Sequence, residues 1–565
     1  MRRSQYAKPG LPYSDDTVLF IGDFITVNQE LPRAEAVAVK AGVFIAVGTR
    51  AEVELQLQGK AITYTVNEDF AGKTITPGFI EAHMHFPVAA IFTLSFNYGG
   101  QFDRVGLGGE VIKGHSTKES LQAHIRQLVA EHNAAGKQGE WINLWGLDPL
   151  LMTDDTIIDR DFLDALCDDS PFFYLHASCH LSTMNSRALA MVGYSLDDNP
   201  EFIIRKNGRL TGDIAELVDM YRAFGKGALA MPSPADSVKC MAQYSDVASR
   251  LGLTTVSDCG MGVPSDTYPA FQAVSQMESC KVRFACYPAI GHYDFDAIES
   301  MAAATNDRLM INKVKYLNTD GSIQGFTALL EEGDNYYNGN KNGATERPFE
   351  QMYEEMLPYH KAGYSISVHC NGQGMTTALL DIFERMQCEF PRPELRHCLE
   401  HNQMVTPAQM DRMVDLGVIH NLFGTHIAVW GDVHAKQTVG PDRVKTLNPF
   451  QTSVQKGIPF AIHCDDAVTQ INPLFMMWAS MTRQNIFSGE VLGEEECLTA
   501  EQALHAVTMG PAYLMEKDQQ IGSIEVGKLA DFAVLGSNPL TVDKQQVKDI
   551  KVFATVTGGK VCIHS

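Results

Sequence analysis

Hydrophobic and polar positions divide the chain into regions of two kinds. At both ends, short apolar and β-branched runs alternate with turns marked by glycine, a pattern that predicts short strands. The predicted strands cover residues 17–21, 24–27, 36–40, 43–47, 61–66, 529–535 and 552–561. Because neither end has enough strands to bury a face alone, we predict that the two ends pair into one small β-sandwich domain.

Between the ends, helical periodicity alternates with apolar runs. Helices are predicted at residues 118–133, 237–251, 268–280, 348–362, 375–388 and 406–416. Strands are predicted at residues 253–256, 282–287, 311–317, 365–369, 418–421 and 459–463. This order is typical of an α/β fold with a parallel sheet, and eight such units would close a (β/α)8 TIM barrel. A doubly wound open sheet is the alternative.

Domain boundaries follow from these patterns. Residues 1–75 and 521–565 form the predicted small domain, and residues 76–520 form the predicted barrel. Residues 88–245 break the regular alternation, so we interpret them as a long insertion after the first barrel strand.

Composition narrows the class of protein. The 565 residues are 45% hydrophobic and 20% charged, as is usual for globular proteins. The net charge of -23 argues against binding to nucleic acid or to an anionic membrane surface. Twelve cysteines without a C-x-x-C pair indicate reduced thiols in a cytoplasmic protein. The N-terminus lacks an apolar signal segment, so we expect a protein that is neither exported nor membrane-spanning.

Metal-ligating residue types lie at the ends of several predicted strands. His83 and His85 follow a Pro-Gly turn, and residues two apart on an extended backbone point to the same side. Both imidazoles can therefore bind one ion, although such a pair alone is also compatible with a structural role. His369, His401 and Asp465 lie at other strand ends, which in an α/β barrel surround the active site.

Lys315 is the unusual member of this group, because an ammonium would repel a divalent cation. If burial lowered its pKa and it reacted with carbon dioxide, the resulting carbamate could bridge two metals. Two such ions could polarise a substrate carbonyl and lower the pKa of a bridging water.

Several longer stretches carry a resemblance to a known family. They are TPGFIEAHMH at 76–85, HLSTMNSRAL at 180–189, GRLTGDIAE at 208–216, GLTTVSD at 252–258, DGSIQG at 320–325, VHCNG at 368–372, LEHNQMV at 399–405, HCDDAV at 463–468 and GSIEVGKLADFAVL at 522–535. With them the chain resembles the amidohydrolase superfamily, specifically its YtcJ-like branch (amidohydrolase family 3). The resemblance implies a metal-dependent hydrolase on a (β/α)8 barrel.

The resemblance also implies a ligand set and a proton carrier. The family's metal ligands fall on His83, His85, Lys315, His369, His401 and Asp465. They would hold a divalent metal, zinc by preference, as one or two ions, with a carbamate on Lys315 as the bridge. Asp465 would take a proton from the attacking water and deliver it to the leaving nitrogen.

Two features leave alternatives open. The family places its lysine four residues before the Asp of the D-G-S motif, whereas Lys315 stands five residues before Asp320. Lys313, or an unmodified Lys315 beside a single metal, is the alternative. Asp466 is a rival to Asp465 for the catalytic role.

Substrate contacts are predicted inside and after the insertion. The resemblance places His180, Asn185 and Glu216 near the substrate, and the mixed apolar run at 420–430 makes Trp430 a candidate for its wall. Structural roles compete with each assignment: Asn185 could cap a helix, Glu216 could be a charge on a helix face, and Trp430 could belong to the core.

The leading functional hypothesis is hydrolysis of a C–N bond in an amide, including N-substituted amides and formamides, or in a related carbamate. Hydrolytic deamination of a ring substrate uses the same metal and water chemistry and is the second hypothesis. A catalytically silent barrel that binds or regulates is the third. A small-molecule substrate is expected, and a homodimer is left open.

Overall fold

The computed structural model describes residues 8–154, 156–177, 179, 181–198, 203–215, 217–228, 233–263, 265–340 and 342–564. Two compact units make up the chain. The main unit contains the residues up to Phe86 together with Ala248–Asp465 and those from Ile471 onward. The second unit contains Pro87–Val247 and Asp466–Gln470. Within the described ranges, no helix combines the length and apolar character needed to cross a membrane.

Strands from both ends of the chain share one sheet of the main unit. Its order is Lys560–Ile563, Val552–Thr557, Phe532–Leu535, Thr74–Pro77, Val18–Ile25, Arg33–Lys40 and Val43–Gly48, with Thr65–Asn67 also paired to Val18–Ile25. The sequence predicts a sandwich of two sheets here, whereas hydrogen bonds join all eight strands into one. Val18–Ile25 is continuous, with a bulge between Ile21 and Phe24 in place of the predicted break.

A helix at Arg50–Gly59 lies between the predicted strands 43–47 and 61–66, where the sequence pattern predicts no helix. Thr49 and Glu52 form a capping box, in which the Thr49 side chain accepts from the Glu52 amide and the Glu52 side chain accepts from the Thr49 amide. Val53 and Leu57, four residues apart, are its buried face. The helix has two core positions, too few for a clear periodic signal.

Parallel strands form the rest of the main unit's sheet structure, as predicted. A four-stranded sheet has the order Leu309–Met310, Arg283–Pro288, Leu253–Met261 and Phe79–Glu81. A five-stranded sheet has the order Lys313–Tyr316, Ser365–Cys370, Cys398–His401, Ile419–Phe423 and Phe460–His463. A parallel bridge between Ala289 and Lys315 joins these two sheets. The carboxyl ends of neighbouring strands therefore meet at one edge.

Helices alternate with these strands along the main unit. They are Tyr268–Ser275, Phe295–Ala303, Phe349–Ala362, Gln373–Glu389, Pro407–Leu416, His426–Val433, Gly440–Arg443, Phe450–Lys456, Pro473–Thr482, Ala500–Ala506 and Met509–Leu514, with a π-helical turn at His434–Thr438 and short 3-10 helices at Val444–Thr446, Glu494–Glu496 and Lys544–Asp549. Apolar faces of Phe349–Ala362 and Gln373–Glu389 pack in one core with strand residues such as Val314 and Ile366. This packing holds the strands that carry the site.

The second unit has its own mixed sheet and core. The sheet order is Ile203–Lys206, Arg209–Ala215, Leu181–Met184, Phe172–His176, Ile142–Leu147 and Asn97–Tyr98, and a two-stranded ribbon pairs Arg104–Val105 with Val111–Ile112. Its helices are Phe86–Ser95, Lys118–Ala134, Arg160–Asp164, Ser186–Val192, Leu217–Phe224 and Pro234–Arg250, with a 3-10 turn at Pro149–Leu151. Leu121 and Ile125 of the helix Lys118–Ala134 pack on Ile142 and Phe172 of this sheet.

Candidate functional site

Three of the predicted ligands come together at the carboxyl edge of the parallel strands. His83 follows the strand Phe79–Glu81, His401 ends Cys398–His401, and Asp465 follows Phe460–His463. One ligand atom from each of the three side chains lies within 4.8 Å of the others, and all three residues are buried. The Asp465 amide also donates to the His83 carbonyl at 3.1 Å, which links the two loops that carry them.

The Asp465 carboxylate is the centre of this group. Its Oδ1 lies 3.4 Å from His83 Nε2 and 3.6 Å from His85 Nε2, and its Oδ2 lies 3.8 Å from His401 Nδ1. Ligands of one tetrahedral zinc ion are separated by about 3.3 Å when each bond is about 2.0–2.1 Å long. Burial opposes ionisation of Asp465, but the surrounding imidazoles, His83 first, hold its pKa below the ordinary value. The carboxylate therefore stays charged.

His83 is oriented from behind by a carboxylate that the sequence interpretation missed. Its Nδ1 lies 2.7 Å from Glu400 Oε2, and Glu400 also accepts from Asn421 Nδ2 at 2.8 Å and from the Ser367 hydroxyl. Although burial opposes it, the charges of His83 and Lys315 lower the pKa of Glu400. An ionised Glu400 keeps a proton on His83 Nδ1, as carboxylates that contact the far nitrogen of a metal-bound histidine do.

The charge state of His83 shows why the arrangement fits a cation. Burial opposes protonation, but neighbouring anionic groups, the Asp465 and Glu400 carboxylates among them, raise the pKa of His83 well above its ordinary value. Nε2 therefore also carries a proton, which faces Asp465 Oδ1, and a metal ion can take the place of that proton. Asp465 Oδ1 is buried and has no hydrogen-bond partner among the described residues. A divalent ion would satisfy both atoms, so the residues present fit the metal that the sequence predicts.

Lys315 adds a second unpartnered atom to this region. Its side chain is fully buried, and within the described part of the chain its Nζ has no hydrogen-bond partner. Lys313, the sequence alternative, donates instead to the carbonyls of Leu514 at 3.0 Å and Arg396 at 3.4 Å. Of the two lysines, Lys315 is therefore the one available to the site.

His369 and His85 lie at the margin of the group. The His369 ring centroid is 4.8 Å from that of His401, and its Nε2 lies 3.2 Å from Asn371 Nδ2. Its side chain is 18% exposed, whereas that of His85 is 36% exposed. Both remain within reach of solvent, and the predicted role of His369 as ligand of a second metal stays a prediction.

Another imidazole, His463, was given no role from the sequence. Its Nε2 lies 3.2 Å from His401 Nδ1, and its ring centroid is 4.8 Å from that of His83. Burial lowers the pKa of His463 to about 3, so the ring is neutral. The signal was present, because His463 stands two residues before Asp465 and residues at this spacing on a strand point to the same side.

The rivals to these residues have other partners. The Asp466 carboxylate pairs with Arg104 at 2.7 Å and accepts from the Tyr244 hydroxyl, all within the second unit. These contacts support a structural role for Asp466, and the catalytic role of Asp465 stays a prediction. Asp320 likewise is structural, because its carboxylate accepts the backbone amides of Leu329, Asn371 and Gly372.

The predicted substrate contacts separate from this centre. Asn185 caps the helix Ser186–Val192, accepting from the Phe172 and Ala188 amides and donating to the carbonyls of Cys167 and Ser170. Its hydrogen-bonding capacity is used in full, which supports the cap role. Trp430 is fully buried with its ring stacked on His426, which supports the core alternative over a substrate wall. His180 and Glu216 lie outside the described residues.

Comparisons with known proteins identify the family of the chain. The sequence model of the amidohydrolase family matches residues 68–563. The N-substituted formamide deformylase of Arthrobacter pascens is 25% identical over 561 residues, which are 96% of this chain and 97% of that protein. The protein YtcJ of Bacillus subtilis (strain 168) is 23% identical over 550 residues, covering 96% of this chain and 98% of its own.

A solved structure shows the same fold. The uncharacterized metal-dependent hydrolase from Pyrococcus horikoshii OT3 superposes with a TM-score of 0.71, covering 94% of this chain and 99% of that one. At 19% sequence identity, the likeness concerns the fold alone.

Proposed function

Because this chain belongs to the amidohydrolase family, we propose that it is a metal-dependent hydrolase that cleaves the C–N bond of an amide. The observation that carries the proposal is the contact between an imidazole nitrogen and a carboxylate oxygen at its centre. His83 Nε2 and Asp465 Oδ1 lie 3.4 Å apart in a buried site, and the carboxylate oxygen has no hydrogen-bond partner among the described residues. The raised pKa of His83 places a proton between these two atoms, and a divalent cation would replace that proton.

The proposed ligands are the six residues named from the sequence. His83, His85, His401 and Asp465 would hold a divalent ion, zinc by preference. Lys315, as a carbamate, and His369 would complete a second position if two ions are bound. A divalent ion there would polarise the substrate carbonyl and lower the pKa of a water.

The chain's own residues would then carry the proton. Asp465 is charged and sits beside the proposed ion, so it can accept a proton from the attacking water. It can then deliver that proton to the leaving nitrogen, which converts a poor leaving group into a neutral amine. Glu400 would keep His83 in one tautomer throughout.

We place this chemistry on a (β/α)8 barrel formed by residues 76–520, with residues 88–245 as an insertion and the chain ends as the small β domain. An N-substituted formamide is the substrate class to test first, because the relative from Arthrobacter pascens is a deformylase of that class. The site would act on a small molecule in the cytoplasm.

Metal analysis and a substrate panel test the proposal together. Protein purified without chelator should contain a transition metal and should release formate and a primary amine from N-substituted formamides. His83→Ala should lose both properties. His420→Ala is the matched control, because His420 is equally buried but bonds Asn402 and Ser453 away from the centre.

Three results would refute it. They are a metal-free active protein, a His83→Ala variant that keeps full activity, or a product pattern in which ring substrates release ammonia and amides remain intact. The last result would support the deaminase hypothesis.

A further inference from the structure

A ring nitrogen of His463 contacts the group of proposed ligands, and the predicted ligand set does not explain this contact. Its Nε2 lies 3.2 Å from His401 Nδ1. That same His401 nitrogen lies 3.8 Å from Asp465 Oδ2, so Nδ1 is on the side of His401 that faces the proposed ion. His463 Nε2 therefore lies beside a nitrogen that faces the proposed ion.

We propose that His463 is itself a ligand of the metal, through Nε2, beside His401 Nδ1. The separation of 3.2 Å is close to the roughly 3.3 Å between two ligands of a tetrahedral ion with bonds of about 2.0–2.1 Å. The inference rests on the proposed function, because it requires that a metal occupies the centre.

The surroundings of His463 support a ligand role. The residue is fully buried, and its ring is stacked on Phe423 with the centroids 4.8 Å apart. Stacking fixes the plane of the imidazole, and a fixed plane holds Nε2 in place for a ligand.

A simple hydrogen bond between the two imidazoles is the alternative explanation. In that case one ring nitrogen would carry a proton for the other, and His463 would only position His401. Loss of a positioning partner lowers metal affinity by roughly 10–100-fold but leaves the number of ligands unchanged. Loss of a ligand changes the coordination itself, so the two explanations differ in a spectroscopic signature.

Cobalt binding to the full-length protein distinguishes them. Apo protein is titrated with Co²⁺, and the dissociation constant and the visible d–d bands are recorded for wild type, His463→Gln, His463→Gly and His420→Gln. We expect the His463 variants to bind Co²⁺ more than about 100-fold more weakly than wild type, a larger loss than a positioning partner causes. Their bands should weaken and shift, and added imidazole should restore the bands of His463→Gly. His420→Gln should match wild type.

Each other result counts against a part of the scheme. Bands that stay unchanged in the His463 variants, with or without weaker binding, overturn the ligand role and leave the proposed function intact. Wild-type protein that binds no Co²⁺ overturns the proposed function and this inference together. If the variants do not fold, a crystal structure of the zinc-loaded wild type decides: a zinc to Nε2 distance of about 2.0–2.1 Å supports the ligand role, and a longer separation overturns it.

Discussion

Two lysines on one strand behave in opposite ways. Lys313 and Lys315 lie in the strand Lys313–Tyr316, point to the same side and are both fully buried. At the amino end of the strand, Lys313 donates to two backbone carbonyls. Toward the carboxyl end, Lys315 has no hydrogen-bond partner in the described part of the chain. The two lysines share one strand and differ in their distance from its carboxyl end.

Two histidine pairs repeat this contrast. Near the amino ends of the strands, His360 Nε2 lies 2.7 Å from the Phe390 carbonyl and His360 Nδ1 lies 3.0 Å from His397 Nε2. His397 Nδ1 then accepts from the Ile366 amide at 3.1 Å, so all four ring nitrogens have partners. In the His401 and His463 pair at the carboxyl edge, His463 Nδ1 has none among the described residues.

The contrast shows how to tell a structural polar cluster from a functional one. Buried polar groups are almost always hydrogen-bonded, because an unpaired group costs free energy. Residue type and burial are alike at the two ends, so neither property distinguishes them. What differs is that unpartnered atoms of ligand type, Lys315 Nζ and Asp465 Oδ1, lie together with the proposed metal ligands at the carboxyl edge.

The largest expected effect concerns Asp465. Asp465→Asn removes the proton carrier and should lower kcat/KM for an N-substituted formamide by about 10²–10⁴-fold. Asp307→Asn, at the amino end, should lower the thermal midpoint without changing kcat, because Asp307 pairs with the buried Arg283 at 2.8 Å. Steady-state kinetics and thermal unfolding measure both. Equal kinetic losses in the two variants would remove the contrast between the ends.

Glu400 should have the next largest effect. Glu400→Gln removes the charge that holds the proton on His83 Nδ1 and should weaken metal binding by roughly 10–100-fold. Competition with a chelator of known affinity gives the dissociation constant. The amide is similar in size to the carboxylate, so the Co²⁺ bands of the saturated variant should be retained. Wild-type affinity in this variant would rule out a positioning role.

The two lysines should respond with opposite signs. Lys313→Met leaves two buried carbonyls without their donor and should lower the free energy of unfolding by about 1–3 kcal/mol while leaving metal content unchanged. Lys315→Met removes an unpartnered buried group, so the metal-free protein should keep or gain stability and should change its metal stoichiometry. Denaturant unfolding and metal analysis measure both. Parallel behaviour of the two variants would contradict the comparison.

His420 should contribute a pH dependence that is confined to acidic conditions and absent at neutral pH. Burial lowers the pKa of His420 from 6.5 to about 3 in the native state. The unfolded chain therefore binds a proton that the native protein does not, and stability falls as pH drops below about 6.5 until about pH 3. One such group contributes about 1.4 kcal/mol per pH unit in this range. His420→Asn should reduce the slope of unfolding free energy against pH by this amount, and an unchanged slope would be contrary to it.

Sequence reasoning proposed as ligands the residues that local motifs carry. His83 and His85 follow a turn, and Asp465 follows an apolar run, so each could be assigned from its own neighbours. Glu400 and His463 were missed because the role of each depends on a contact with a residue far away in the chain. Glu400 contacts His83, and His463 contacts His401. A carboxylate inside the apolar strand Cys398–His401 was the available signal.

One part of the fold was predictable from local sequence patterns, and another part was not. The parallel strands were predictable because long helices separate them and apolar runs mark each one. The sheet of the second unit was not, since it mixes parallel with antiparallel pairs and lacks a regular alternation of strands and helices, as in the antiparallel pairing of Leu181–Met184 with Arg209–Ala215. Turn signals locate such strands but do not say which of them pair.

The backbone at two ligands bears on the hypothesis of a silent barrel. His401 and Asp465 have φ values of 68° and 55°, in the left-handed region that favours glycine. Residues other than glycine pay about 1–3 kcal/mol there. If the protein had no catalytic function, substitution of either residue by glycine would increase its stability at no cost. Keeping an imidazole and a carboxylate at these positions sacrifices stability, so a thermostability screen of this protein should select variants that are more robust and inactive.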